Sequence, residues 1–213
     1  VFFYITTMNE NYQQPEMPKG VENDIVKGMY LLEDGGAGEY KLTKPLNKDS
    51  RLRLLGSGTI LREVRKAAEI LRKEYSVAVD VWSVTSFNEL RRDALAVSRE
   101  NMLCPDKKPK LPFVTEKLAK QKGPIIAATD YMKAYSDQIR EFVPDSYRVL
   151  GTDGFGRSDS RERLRHFFEV DSKFVVLAAL TDLKELDLVD PKAILAHMKK
   201  TGIKRAKANP LHQ

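Results

Sequence analysis

Between Arg51 and Phe168 the chain alternates, four times over, a short apolar run with a segment whose apolar residues recur every three or four positions. A strand that leads into a helix and then into another strand returns most simply as a parallel neighbour, with the helix packed on the sheet. Arg51–Leu55 ends in Gly56-Ser57-Gly58, and Thr59 is placed to cap a helix carrying Ile60, Leu61, Val64, Ala67, Ala68, Leu71 and Tyr75. Val77–Val84 precedes a helix over Ser86–Asn101, with Phe87, Leu90, Ala94 and Val97 on one side. Pro124–Thr129 precedes a helix over Tyr131–Phe142, on which Met132, Tyr135, Ile139 and Phe142 align. Tyr147–Leu150 leads through a glycine-broken loop into a helix over Arg161–Phe168, opened by Ser158, Asp159 or Ser160.

Gly28–Glu33 and Tyr40–Leu42 read as strands about a Gly35-Gly36 turn, an antiparallel edge. Cys104–Gly123 reads as a lysine- and proline-rich surface loop with a short helix over Val114–Lys122. Ser172–Leu186 is a helix despite its strand-like FVVLAAL, because Leu183 and Leu186 continue at helical spacing. Asp190 caps a last helix with Pro191 at its first position, ending near Gly202, and the basic tail Ile203–Gln213 is expected to be loosely held. The expected fold is therefore α/β: three layers, α/β/α, around a mostly parallel five-stranded sheet with one antiparallel edge strand.

At 213 residues and 42% hydrophobic, the chain can build one sizeable core. Val1–Ile5 reads as a buried strand and Thr6–Gly20, with Pro15 and Pro18, as an extended connector. The expected division is thus 1–20, the end of a preceding domain plus linker, and 21–213, one α/β domain, in a partial chain. The VFFYI run is too short for a membrane span or signal peptide, and a cytoplasmic setting is expected. Cys104 is the sole cysteine, which excludes internal disulfides; lacking a nearby histidine, it reads as inert. Net charge is +6, but 30 acidic residues stand against 36 basic ones. The lysine clusters near residues 107–110 and 199–207 lack the interleaved aromatics of a single-strand binder. Solvated loops suit this pattern better than nucleic-acid binding.

Two stretches invite a functional reading. Leu54–Thr59 (LLGSGT) has the strand, Gly-x-Gly and helix of a phosphate cradle, but Leu61 stands where a dinucleotide fingerprint needs its third glycine. A tight strand-to-helix turn is the better reading of so short a signal. The richer stretch is GTDGFGRSDSR, at the carboxyl end of the fourth strand, where open α/β sheets place their working surface. Gly151, Gly154 and Gly156 permit positive φ, Phe155 is an apolar ring in a polar loop, and Asp153 and Arg157 are within reach of one another. Asp153 and Asp159 would make a carboxylate pair, yet no nucleophile or metal partner accompanies them, and no Gly-x-Ser-x-Gly elbow occurs. His166 reads as a packed or hydrogen-bonded residue. The candidate site is accordingly an interface: Asp153, Phe155, Gly156, Arg157, Ser158 and Arg161. A self-standing anion- or nucleotide-binding module, using the amides after Gly56 and Gly154, is the alternative.

VFFYITTMNENYQQPEMP, LLGSGTILREVRKAAEIL, VWSVTSFNELRRDAL, TDYMKAYSDQIREFVP and above all YRVLGTDGFGRSDSRERLRHFFEVD closely resemble the carboxy-terminal part of the homodimeric bacterial pyruvate dehydrogenases. The shorter pattern of Asp153, Phe155, Gly156 and Ser158 is shared more loosely with transketolases. The resemblance implies an enzyme that decarboxylates pyruvate with thiamine diphosphate and Mg, then passes the acetyl group to a lipoyl acyltransferase. It further implies that partners are the enzyme's other domains, its second subunit and that acyltransferase. The family's Gly-Asp-Gly diphosphate motif with its asparagines is absent, Thr152-Asp153-Gly154 not being it. The resemblance therefore implies no catalytic, cofactor or metal residue in this chain and a structural, dimer-forming role.

Overall fold

A computed structural model describes residues 2–5, 7, 10–35 and 51–212. Along the chain run α1 (Glu22–Lys27), β1 (Met29–Glu33), β2 (Leu52–Gly56), α2 (Leu61–Tyr75), β3 (Val79–Val84), α3 (Phe87–Leu103), α4 (Phe113–Leu118), β4 (Ile125–Ala128), α5 (Lys133–Asp137), β5 (Tyr147–Leu150), α6 (Arg161–Phe167), α7 (Ser172–Glu185) and α8 (Pro191–Thr201). The sheet order is β1-β3-β2-β4-β5. β2 is parallel to both β3 and β4, and β4 to β5, while β1 closes the β3 edge antiparallel. This is the expected mixed sheet.

Side chains alternate across the strands, so each strand feeds two cores. Leu52 and Leu54 of β2, with Ile126 and Ala128 of β4, face α2, α7 and the start of α8. Leu55, Ile125 and Ala127 face α3 and α4, where Phe87, Leu90, Val114 and Leu118 cover them. The apolar stripe of α2, Val64, Ala67, Ala68 and Leu71, is buried as its spacing requires. α7 is buried from Phe174 to Leu183, which explains its strand-like sequence: a helix covered nearly all round needs no polar face. Asp171 and Asp190 cap α7 and α8 by accepting from Phe174 N and Lys192 N.

Four expectations change. Phe2–Ile5 form no strand and are exposed, Phe2 at 97%, because nothing in the described chain pairs with or covers them. Thr59 caps nothing: a 3₁₀ turn over Gly58–Ile60 precedes α2, and Thr59 Oγ1 donates to Asp130 Oδ2 at 3.3 Å. The single helix expected over Tyr131–Phe142 is α5 plus a separate 3₁₀ turn, Arg140–Phe142. The three-residue step of its apolar residues suits either helix type, and Arg140, bonded to Tyr147 O at 2.7 Å, ties the turn to β5. The tail is anchored rather than loose, with Ile203 and Pro210 buried and Lys207 Nζ donating to Phe167 O at 2.8 Å. The expected strand at Tyr40–Leu42 lies outside the described residues, as does Gly36.

The edge strand is pinned electrostatically. Glu33 accepts from Arg65 Nε at 2.6 Å and Arg72 Nη1 at 2.8 Å. Burial pushes its carboxyl upward, but hydrogen bonds from Arg72 and Arg65 outweigh this and hold it below the ordinary glutamate value. A depressed folded-state value gives stability that is complete above the unfolded value and lost as pH falls through the folded one. Glu33→Gln should cost about 1 kcal/mol at neutral pH, a cost that begins to shrink near the ordinary glutamate value of about 4.3 and disappears only below the depressed folded one. Urea titrations at several pH values check this; an equal loss at acid and neutral pH would refute it.

Candidate docking site at the carboxyl ends of β4 and β5

Two consecutive crossings of the sheet edge build the site. After β4 the backbone turns at Thr129 and Asp130, and Thr129 N donates to Leu150 O at 3.1 Å. After β5, Thr152 N donates to Tyr131 O at 2.9 Å and Thr152 Oγ1 to Asp130 O at 2.6 Å. Gly151 is required here, since a Cβ would lie 2.7 Å from Tyr131 O. Asp153 Oδ1 accepts from Lys133 N at 2.8 Å. Gly154, at φ +108°, passes so close to the tail that a Cβ would meet Pro210 O at 2.6 Å. The base of the loop is thus clamped between α5 and the tail.

Beyond the clamp the chain projects. Phe155 is 81% exposed and a Cβ on Gly156 would meet nothing within 4 Å. Arg157 lies over the Phe167 ring, its guanidinium carbon 4.4 Å from the centroid, although Asp153 is within reach of it along the chain. Ser158 is exposed, and Ser160 is the residue that caps α6, accepting from Arg163 N at 3.4 Å. Asp159 accepts from Ser160 N at 2.7 Å and faces Arg163 at 3.6 Å, so Asp153 and Asp159 serve separate contacts and form no acid–base pair. Arg161 pairs with Glu10 Oε1 at 2.7 Å, fastening the connector to α6.

A cavity of about 320 Å³ lies beneath the loop, between Thr59, Asp130 and Thr152 on the sheet side and Arg157, Arg161 and Arg165 on the other. Sequence reading passed over two residues that shape it. Glu63, only 6% exposed, accepts from Arg165 Nη1 at 3.2 Å and Ser172 N at 3.1 Å, joining α2 to α6 and α7. Its signal was an acidic residue beside an otherwise apolar helical stripe. Asp130 has no such signal. It stands before the Gly-Ser-Gly turn, and a Cβ on Gly58 would come within 3.2 Å of its Oδ1. A carboxylate there opposes a phosphate cradle, and Gly56 serves packing, since a Cβ would meet Leu61 Cα at 2.8 Å. Among the described residues no group of three or more His, Cys, Asp or Glu side chains is arranged to hold a metal ion. His166 is hydrogen-bonded, as its sequence position suggested, with Nδ1 2.9 Å from Asp171 Oδ2.

Residues 38–171 match the family described as Transketolase-like TK C-terminal domain, and the chain belongs to that family. Within it, the chain is 55% identical to the pyruvate dehydrogenase E1 component of Pseudomonas aeruginosa, over 99% of its own length and 23% of that protein's. The E1 component of Escherichia coli K12 is 50% identical over 99% of this chain and 22% of its own length. The chain thus spans under a quarter of these relatives. Among solved structures, the transketolase of Leishmania mexicana aligns with 81% of this chain and 20% of its own, at 19% identity and a TM-score of 0.48.

Proposed function

We propose that this chain is the carboxy-terminal domain of a pyruvate dehydrogenase E1 component, and that its 153–161 loop is a docking surface for the rest of that enzyme. The observation that carries the docking reading is Phe155: an apolar ring 81% exposed, on a loop whose base is hydrogen-bonded and sterically fixed. A ring held out rigidly loses little further entropy when a partner covers it. Phe155, Gly156, Arg157 and Ser158 form the projecting tip, with Asp153 and Arg161 fastening its two ends. The exposed Phe2–Ile5 run suits the same arrangement, as the end of a preceding domain whose connector, 6–20, reaches α6 through Glu10.

In this reading the whole enzyme is a cytoplasmic homodimer that decarboxylates pyruvate with thiamine diphosphate and delivers the acetyl group to a lipoyl acyltransferase. The residues present do not fit the diphosphate and its magnesium ion. Asp153 is engaged by Lys133 through the backbone N–H and, at 4.0 Å, the ammonium. Asp130 faces Thr59. No step of that chemistry is therefore assigned to this chain, whose part is to position and join. Asp130 against Gly58 likewise disfavours the nucleotide-binding alternative at the Gly-Ser-Gly turn.

In the full-length enzyme, Phe155→Ala should weaken subunit association about tenfold, as loss of a buried aromatic anchor does. Analytical ultracentrifugation over a dilution series measures this. An unchanged dissociation constant, in a variant that melts like the parent, would sink the docking reading.

A further inference from the structure

A second cleft, separate from the loop tip, opens between α6 and the end of α8, with a volume of about 620 Å³. Arg163, His166, Lys173, Lys204 and Lys207 line it, against Glu162 and Asp171. We propose that this cleft binds the phosphate group of a small metabolite.

The argument begins with His166. Asp171 is 8% exposed, and its Oδ1 accepts from Phe174 N at 3.0 Å at the cap of α7, so the carboxylate cannot swing away. Its Oδ2, an acceptor, lies 2.9 Å from His166 Nδ1 and so assigns the proton to that nitrogen. The Phe174 ring, 5.3 Å away between centroids, fixes the imidazole from one side. Among the described residues Nε2 has no hydrogen-bond partner, and its ring lines the cleft. A carboxylate that orients a histidine and leaves its far nitrogen open prepares that nitrogen for a ligand.

The charges select the ligand. Four cations face two carboxylates, and one of the two, Asp171, is already occupied by His166 and the helix cap. Lys207 is held at the rim by Phe167 O at 2.8 Å and Glu169 Oε1 at 3.0 Å, while Arg163 and Lys204 are exposed and Lys173 is half-buried. Ser160 Oγ accepts from Arg163 N and keeps its own proton to donate. A phosphate monoester offers negative charge to the cations and shares one proton with Nε2, whichever of the two carries it. A nucleobase finds less: the Phe167 ring is already engaged by Arg157 at 4.4 Å and Lys207 at 5.5 Å from its centroid, cations that a stacking base would have to displace or share. The phosphate group is therefore what the cleft recognises.

The test uses the ¹³C,¹⁵N-labelled 213-residue chain at fixed pH, titrated with inorganic phosphate at constant ionic strength. The His166 ring resonances should shift and saturate in the millimolar range or tighter, while those of the exposed His212 do not, and sodium chloride at matched ionic strength should shift neither. Lys173→Glu with Lys204→Glu should weaken binding about tenfold or more, since each charge-assisted contact is worth that order. Lys204→Glu alone, at an exposed position, should give a smaller loss in the same direction and guards against a misfolded double variant. No saturation, or equal drift at His166 and His212, would mean an adventitious ion only and would overturn the site. So would an affinity unmoved by Lys204→Glu. Adenosine monophosphate binding more than about tenfold tighter than phosphate would show a base contact and overturn the assignment to the phosphate group alone.

Discussion

Replacing Arg53 by Ala should destabilise the chain by about 3–5 kcal/mol, the cost of breaking a buried charged network from one side, or about 10 °C in melting temperature for a domain of this size. Arg53 is 1% exposed, at the middle of the sheet. Its guanidinium donates to the carbonyls of Leu118, Gln121 and Gly123 and to Asp145, so one side chain holds the α4–β4 connection and the approach to β5. Burial pulls its pKa below the ordinary arginine value, against the upward pull of Asp145. Removing it takes the charged donor from three carbonyls at once. Arg53→Lys keeps the charge but loses the planar fork, and should recover only part of the loss. Chemical denaturation of the three proteins decides; an Ala variant within about 0.5 kcal/mol of the parent would show that the network is dispensable.

The second large effect is expected at Glu63. Glu63→Ala should cost about 2–3 kcal/mol, because Arg165 and the Ser172 N–H lose a buried charged acceptor together. The loss has a location as well as a size. α6 is a seven-residue helix with no fully buried side chain, so its position depends on such contacts. Hydrogen exchange should rise over 161–172 more than over β2–β4; uniform acceleration would mean that Glu63 supports the whole domain and not α6 in particular.

Arg53 also shows why part of this fold was legible and part was not. The apolar run of Leu52, Leu54 and Leu55, buried on both faces of the sheet, and the helical stripe from Val64 to Leu71 are local patterns, and they point to the sheet, its edge strand and the three layers. Arg53 interrupts such a run as any solvent-facing residue might; its carbonyl partners lie 65 to 70 positions later. Tyr131–Phe142 failed for a different reason, since one apolar spacing fits an α-helix and a 3₁₀ turn alike. At the loop, the exposed ring of Phe155 was readable from its polar neighbours. Asp130 and Pro210, which shape and fix the loop, were not, because their importance comes from closure over distance. The apolar Phe2–Ile5 run reads as interior material, yet the described residues leave it exposed and without a strand partner.

The contact between Gly154 and Pro210 O has a consequence for synthesis. A ribosome delivers residue 154 well before residue 210, and domains begin to collapse from their amino end while translation continues. Every strand of the sheet can therefore be in place while the loop at its edge still lacks the segment that sets its height. The contact of Gly154 with Pro210 is completed only once the tail has arrived. On the docking proposal, premature pairing with a neighbour on the same messenger is thus discouraged by the order in which the chain is made.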